Sequence, residues 1–240
     1  TDVSKEAAHL ILLDDNFSTI VRAVKEGRRI YDNIVKFIKY IMTCNGAEIW
    51  TIGLAPFLGF PNPLLPIHIL WINLVTDGLP ALALASERAE KDIMKQAPRP
   101  PKQSLFANGV GYHIIWVGML MAAVTLFTQY WSIAQGWHWQ TMVFSVLAFS
   151  QLGHVMAVRS DRTFLYQQGI FSNKPLFGAV LLTLFLQLGV IYLPMMNEIF
   201  HTQALNWTEL GFSLAMSLVV FHAVEFEKWI RKRFFSVKKT

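Results

Sequence analysis

The stretch ILWINLVTDGLPALAL, residues 69–84, constrains this chain more than any other. It is apolar enough to lie in hydrocarbon, yet Asn73, Thr76 and Asp77 stand in its middle. An ionisable group at that depth costs at least ~2.5 kcal/mol on insertion scales, so such groups are rare and usually functional. In lipid every backbone N–H and C=O must be satisfied within the segment, which makes the stretch a helix. On a helix Asn73, Thr76 and Asp77 stand at i, i+3 and i+4 and share one face. Gly78 and Pro80 follow at once and loosen the helix, so that backbone carbonyls become available to an ion. The apolar stretch before it repeats the pattern, with Asn45 and Glu48 at i and i+3. Of the 16 Asp and Glu residues, Glu48 and Asp77 alone fall near the middle of a predicted span. Two oxygen-bearing faces on consecutive helices can converge.

The rest of the chain fits a membrane protein. Hydrophobic residues make up 53% and aromatic residues 13%, more than a soluble domain usually carries. Six stretches of roughly 20 residues are long enough to cross a bilayer. They lie near 38–58, 64–85, 109–131, 140–158, 175–194 and 207–227, separated by turn-forming segments such as GFPNP and AQGWHW. The expected fold is an all-α membrane protein, a bundle of six transmembrane helices behind a short cytoplasmic α/β segment at the N-terminus. The opening TDVSKEAAHL has no apolar core behind a basic start, so it is not a signal peptide, and the chain reads as a piece of a longer one. A single cysteine, Cys44, excludes an internal disulfide.

Charge placement supplies the topology. The positive charges behind the net +5 lie on one side: all 21 Lys and Arg residues fall in 1–36, 86–108, 159–174, the C-terminal tail, or the adjoining helix ends. The positive-inside rule makes that side, and both chain ends, cytoplasmic. The basic tail 231–240 then meets anionic lipid, and no nucleic-acid partner is needed. Trp131, Trp137, Trp139 and Trp207 form an aromatic belt at the opposite boundary. Within the bundle the candidate ligands are amide, hydroxyl and carboxylate oxygens, which suit Ca²⁺, and no Cys/His cluster of the kind that selects zinc or copper is present. A polar network joining two helices is the alternative for the same residues. His68 and His154 read as packing or network residues.

The quoted motifs resemble the P-type cation-transporting ATPases, within them the calcium pumps of the sarcoplasmic-reticulum and secretory-pathway kind. Residues 1–40 are similar to the end of the phosphorylation domain and the stalk, NGAE at 45–48 to the ion-binding stretch of the fifth transmembrane helix, and LWINLVTDGLPALAL to the sixth helix. DIMKQAPRPPKQSL resembles the cytoplasmic segment that follows. The resemblance divides the chain into 1–36 (end of the phosphorylation domain and stalk), 37–85 (ion-binding helix pair), 86–108 (connector), 109–230 (four-helix transporter unit) and 231–240 (tail). It implies that Asn45, Glu48, Thr76 and Asp77 coordinate one ion, and that Asn73 and Asp77 help bind a second. Gln151, in SVLAFSQLGH, stands where the sarcoplasmic-type pump has a further glutamate, a departure that leaves the first-ion site in question, although Gln151 can still offer a carbonyl oxygen as an ion ligand, or act as a helix-packing amide. Asp14 and Asp15 read as acids at the end of a short strand that cap the stalk helix, beside Asn16 and Ser18.

The implied function is ATP-driven Ca²⁺ transport at the plasma membrane with proton countertransport. ATP and Mg²⁺ would be bound by upstream domains, since this stretch holds no phosphate-cradling glycine loop or phosphoryl acceptor. Membrane lipid and the remainder of the same pump are the expected partners, with 86–103 meeting the phosphorylation domain. A pump for Mn²⁺ or a monovalent cation remains an alternative, as does a secondary transporter or channel. The repeat that a secondary transporter often carries is absent, because NGAE and TDGLP have no counterpart after residue 140.

Overall fold

The computed structural model describes residues 2–9, 11, 16–90, 92–100, 102–161 and 163–234. Asp14 and Asp15, and most of the proposed tail, lie outside these residues. Among the described residues every regular element is helical. The strand expected before the stalk falls on the undescribed stretch.

After the short α1, Asp2–Ala7, the long helix α2, Phe17–Leu54, has 38 residues and so extends about 57 Å, nearly twice the thickness of a hydrocarbon core. Asn16 caps it, accepting a hydrogen bond from the Ser18 N–H at 2.9 Å. Its first half is mostly exposed. Its second half buries Lys36, Lys39, Tyr40, Thr43, Cys44, Ala47, Glu48 and Thr51. That set recurs every three to four residues and is one helix face. A single element thus passes from a polar stalk into an apolar bundle, as the change from VRAVKEGRR to IMTCNGAEIW requires.

The following helix is broken into α3 (Pro66–Trp71), a π-helical turn (Ile72–Asp77) and α4 (Gly78–Leu84). Then come α5 (Val110–Gln135), α6 (Trp139–Ala157), the short α7 (Leu165–Gln168), α8 (Lys174–Tyr192), α9 (Pro194–Phe200) and α10 (Trp207–Phe234). Among the described residues four stretches, 66–84, 110–135, 174–192 and 207–233, are long and apolar enough to cross a membrane. The helix α6 falls outside that group although it is the most enclosed, with nearly every residue from Thr141 to Ala157 buried. It carries Ser145, Ser150, Gln151 and His154 because it faces protein on all sides. One cluster of Ala47, Ile72, Val117, Met121, Phe144, Leu147 and Val220 joins α2, the broken helix, α5, α6 and α10.

The contact of α2 with α5 is backbone against backbone. A Cβ at Gly118 would stand 3.3 Å from the Thr43 carbonyl oxygen and 3.5 Å from the Ala47 nitrogen. Small residues permit this approach where lipid supplies no hydrophobic drive between helices. Gly118→Val is therefore expected to lower stability by about 1–3 kcal/mol through overpacking, read as a lower melting temperature of the purified protein.

On the basic side two side chains with no exposed surface meet: Arg159 donates from Nε to Glu87 Oε2 at 2.8 Å and from Nη2 to Oε1 at 3.2 Å. Asn173, the N-cap of α8, donates to Oε2 at 2.9 Å while accepting from the Leu176 N–H at 3.0 Å. The Glu87 carbonyl in turn accepts from Arg29 at 3.1 Å and Asn33 at 2.8 Å on the stalk. Arg28 reaches further along the connector, to the carbonyls of Ile93 at 2.8 Å and Gln96 at 2.7 Å. Burial alone would raise the Glu87 carboxyl, but the hydrogen bonds from Arg159 and Asn173 outweigh it and hold it below the ordinary glutamate value. The opposite end is closed by His68, whose Nε2 lies 2.7 Å from the Phe200 carbonyl and whose ring stacks on Phe144.

Candidate cation site

The break in the third helical stretch has a local cause. Pro80 has no N–H to offer the carbonyl of residue 76, so the α-helical ladder cannot continue through it. The chain answers with the π-helical turn, which widens the helix at Asn73, Thr76 and Asp77. The freed Thr76 carbonyl lies 3.4 Å from the Tyr40 hydroxyl, and the Val75 carbonyl 3.5 Å from the Thr183 hydroxyl. Gly78 is required by the same geometry. A Cβ there would stand 3.4 Å from the Asn73 carbonyl oxygen.

Three helices converge on Glu48. Asn73 Nδ2 donates to its Oε2 at 2.9 Å and Gln151 Nε2 to its Oε1 at 3.3 Å. Asp77 meets the same face of α2 nearer the stalk, accepting from the Tyr40 hydroxyl at 3.0 Å on Oδ1, with the buried Cys44 thiol beside the carboxylate. Asp77 Oδ2, Thr76 Oγ1 and Gln151 Oε1 are all buried and have no hydrogen-bond partner. A buried polar atom left unpaired costs roughly 1–3 kcal/mol. These unpaired oxygens are hard donors of the type that a Ca²⁺ ion takes in sets of six to eight. Among the described residues no three His, Cys, Asp or Glu side chains are arranged to hold a metal ion by themselves, so any ion held here would draw on amide, hydroxyl and carbonyl oxygens as well.

The structure brings Glu48, Asn73 and Gln151 into one hydrogen-bond network and buries Thr76 and Asp77 beside it. Asn45 sits one turn before Glu48 and is half-buried, but takes no part in the described hydrogen bonds. Asn73 is exposed on the outer side of the broken helix, next to the exposed apolar side chains Leu70 and Leu74. Sequence reasoning passed over Tyr40, although its place at Asp77 minus 37 on the preceding helix is what holds one oxygen of that carboxylate. It also passed over His113 and Glu227, whose ring Nδ1 and carboxylate Oε2 lie 2.6 Å apart.

Residues 61–230 match the family described as cation transporting ATPase, C-terminus. The chain is 44% identical to a calcium-transporting ATPase of Bacillus subtilis, covering 91% of this chain and 25% of that protein. It is 40% identical to calcium-transporting ATPase 1 of Bacillus cereus, over 97% of this chain and 28% of the relative. The human calcium-transporting ATPase type 2C member 1 is 34% identical over 97% of this chain and 26% of its own length. The chain spans about a quarter of the length of these relatives. With the family match running from the broken helix almost to the end of α10, the chain belongs to the cation-transporting ATPase family, as its C-terminal part.

Proposed function

We propose that this chain is the C-terminal membrane part of an ATP-driven calcium pump. The observation that carries the reading is the set of unpaired buried oxygens on Thr76, Asp77 and Gln151 around a helix opened by Pro80. The relatives named calcium-transporting ATPases support Ca²⁺ as the cargo. The chain crosses the membrane six times, by the second half of α2, the α3–α4 stretch, α5, α6, α8 and α10, with both ends on the cytoplasmic side of the cell membrane. The exposed side of the broken helix, with Asn73, Leu70 and Leu74, is where the preceding helices of the intact pump pack. ATP and Mg²⁺ are bound upstream. The basic tail rests on anionic lipid, and residues 86–103 meet the phosphorylation domain.

Coupling follows from α2. Because the stalk and Glu48 lie on one continuous helix, and Arg28, Arg29 and Asn33 fasten the connector to it, a domain motion at the stalk reorients the ligands. When the ion leaves, carboxylates in a low-dielectric site take up protons. The reading is tested by reconstituting the full-length protein in liposomes. ATP should drive Ca²⁺ uptake and Ca²⁺ should be required for phosphoenzyme formation. Phosphorylation that ignores Ca²⁺ overturns the reading.

The ligand set also bears on stoichiometry. Each Ca²⁺ needs enough negative charge to offset its desolvation. This part supplies Glu48 and Asp77, with Gln151 a neutral amide engaged to Glu48. One Ca²⁺ per cycle is expected, bound mainly by Asn73, Asp77 and the upstream part, with Glu48 as a protonatable gate. Equilibrium ⁴⁵Ca²⁺ binding normalised to phosphorylation sites checks this, and two ions per site would refute it.

A further inference from the structure

Away from the cation site, a row of buried titratable side chains runs toward the basic face. His154, fully buried on α6, has its Nε2 3.1 Å from Nε2 of His113 on α5, and the two rings stack with centroids 5.4 Å apart. Nδ1 of His113 lies 2.6 Å from Glu227 Oε2 on α10, which also accepts from Trp116 Nε1 at 3.2 Å. At the other end the ring of Tyr40 lies 5.6 Å from that of His154, and its hydroxyl is on Asp77. His154 Nδ1 is buried and has no partner. Neither the cation site nor the packing of the bundle requires two facing imidazoles backed by a carboxylate.

We propose that His154, His113 and Glu227 form a proton relay between the cation site and the basic face of the protein. The relay rests on the calcium-pump reading above. With Glu227 ionised, His113 donates from Nδ1–H, so its Nε2 is a bare acceptor and His154 donates to it from Nε2–H. The remaining nitrogen, His154 Nδ1, is then a lone pair, as its lack of a partner requires. A proton arriving there forms a bond to Nδ1. The Nε2 proton of His154 passes to His113 Nε2, and the Nδ1 proton of His113 passes to Glu227. One proton enters at His154 and one leaves the imidazole pair for Glu227, which ionises again by giving it to water in the cavity beside it, and each ring returns to neutral in its other tautomer.

The exit is built into the same corner. A small cavity of about 10 Å³, close to the room of one water, lies between Lys39, His113, Asp161, Glu227, Lys228 and Arg231. It borders an open cleft of about 550 Å³ that also reaches Lys39, Asp161 and Arg231. Two of the cations facing His113 have an acid of their own, and the third, Arg231, shares Glu227 with it. Lys39 pairs with Asp161 at 2.7 Å, Lys228 with Glu225 at 2.6 Å and Arg231 with Glu227 at 2.5 Å. A transient positive charge on His113 is therefore offset by Glu227 and is not set against unpaired lysines.

The test is proton release on cation binding. The full-length pump, without ATP, is mixed with Ca²⁺ in a stopped-flow instrument with a pH dye, and Ca²⁺ bound at equilibrium is measured by filtration. His113→Gln is expected to slow proton release on the order of 10²-fold while leaving the amount of Ca²⁺ bound unchanged. A structural role would instead lower Ca²⁺ binding, and that result, or release at the wild-type rate, overturns the relay. If His113→Gln does not fold, Glu227→Gln is judged by the same two readouts, since it keeps the hydrogen-bonding shape without the proton acceptor. Wild-type protein that binds no Ca²⁺ refutes the calcium-pump reading, whereas wild-type protein that binds Ca²⁺ and releases no proton refutes the relay alone.

Discussion

Asp77→Asn is expected to abolish Ca²⁺-dependent phosphorylation of the full-length pump by ATP while sparing phosphorylation by inorganic phosphate. The substitution is nearly isosteric and retains an oxygen for the Tyr40 hydroxyl, which lies 3.0 Å away. What it removes is charge. One of the two mid-span carboxylates disappears from a site whose other donors, Asn73, Thr76 and Gln151, are neutral, and a divalent cation then has too little to offset its lost hydration. Phosphorylation by inorganic phosphate proceeds from the empty site and needs no such charge. Loss of both reactions would point instead to a collapsed fold, and retention of the Ca²⁺-dependent one would remove Asp77 from the ligand set.

Arg159→Leu is expected to be the most destabilising single change on the basic side. Glu87 and Arg159 have no exposed side-chain surface, so removing the guanidinium strands a carboxylate, at a cost of about 3–5 kcal/mol. Thermal unfolding in detergent measures it. The double variant Glu87→Leu with Arg159→Leu should recover much of the loss, because an apolar pair leaves no stranded charge. The pH dependence has a defined sign. The folded value for Glu87 lies below the unfolded one of about 4.3, so its contribution is complete above that pH and is lost as pH falls through the folded value. A wild-type stability that rose on acidification below pH ~4 would contradict this.

What could be read from sequence followed from local spacing. The six predicted stretches fall on helical segments, four of which among the described residues are long and apolar enough to cross a membrane, and the i, i+3, i+4 spacing of Asn73, Thr76 and Asp77 needed no knowledge of the fold, although the structure leaves Asn73 exposed and buries the other two. Gly78 and Pro80 foretold a loosened helix, though not that the relief would be a π-helical turn. The same spacing put Asn45 beside Glu48, yet position on a face does not decide which side chains reach a common partner. Nothing in the sequence set Glu87 apart from the other acids of the connector, because its partner Arg159 is 72 residues away and no periodicity links them. Lys36 and Lys39 read as boundary anchors but are buried at 4% exposure, their ammonium groups turned to Glu90 and Asp161. Tyr40 read as one more aromatic in an apolar span. Its hydroxyl matters only because Asp77 comes to lie against it.

The enclosure of α6 has a consequence for how the protein is made. Its serines, Gln151 and His154 leave it outside the group of stretches apolar enough to cross a membrane, so the insertion machinery gains little from releasing it into lipid alone. It follows α5 after a turn of three residues that begins at Gly136, whose φ of 68° closes the earlier helix. The two therefore enter the bilayer as a hairpin, with α5 supplying the hydrophobic drive. Gln151 and His154 meet α2 and α5, which are already made, whereas the contacts from α8 and α10 that cover the rest of α6 are synthesised last. Until they arrive, the face of α6 at Gly153, against which Phe221 of α10 packs in the complete bundle, stays open, which makes a chain truncated after α6 a natural substrate for membrane quality control.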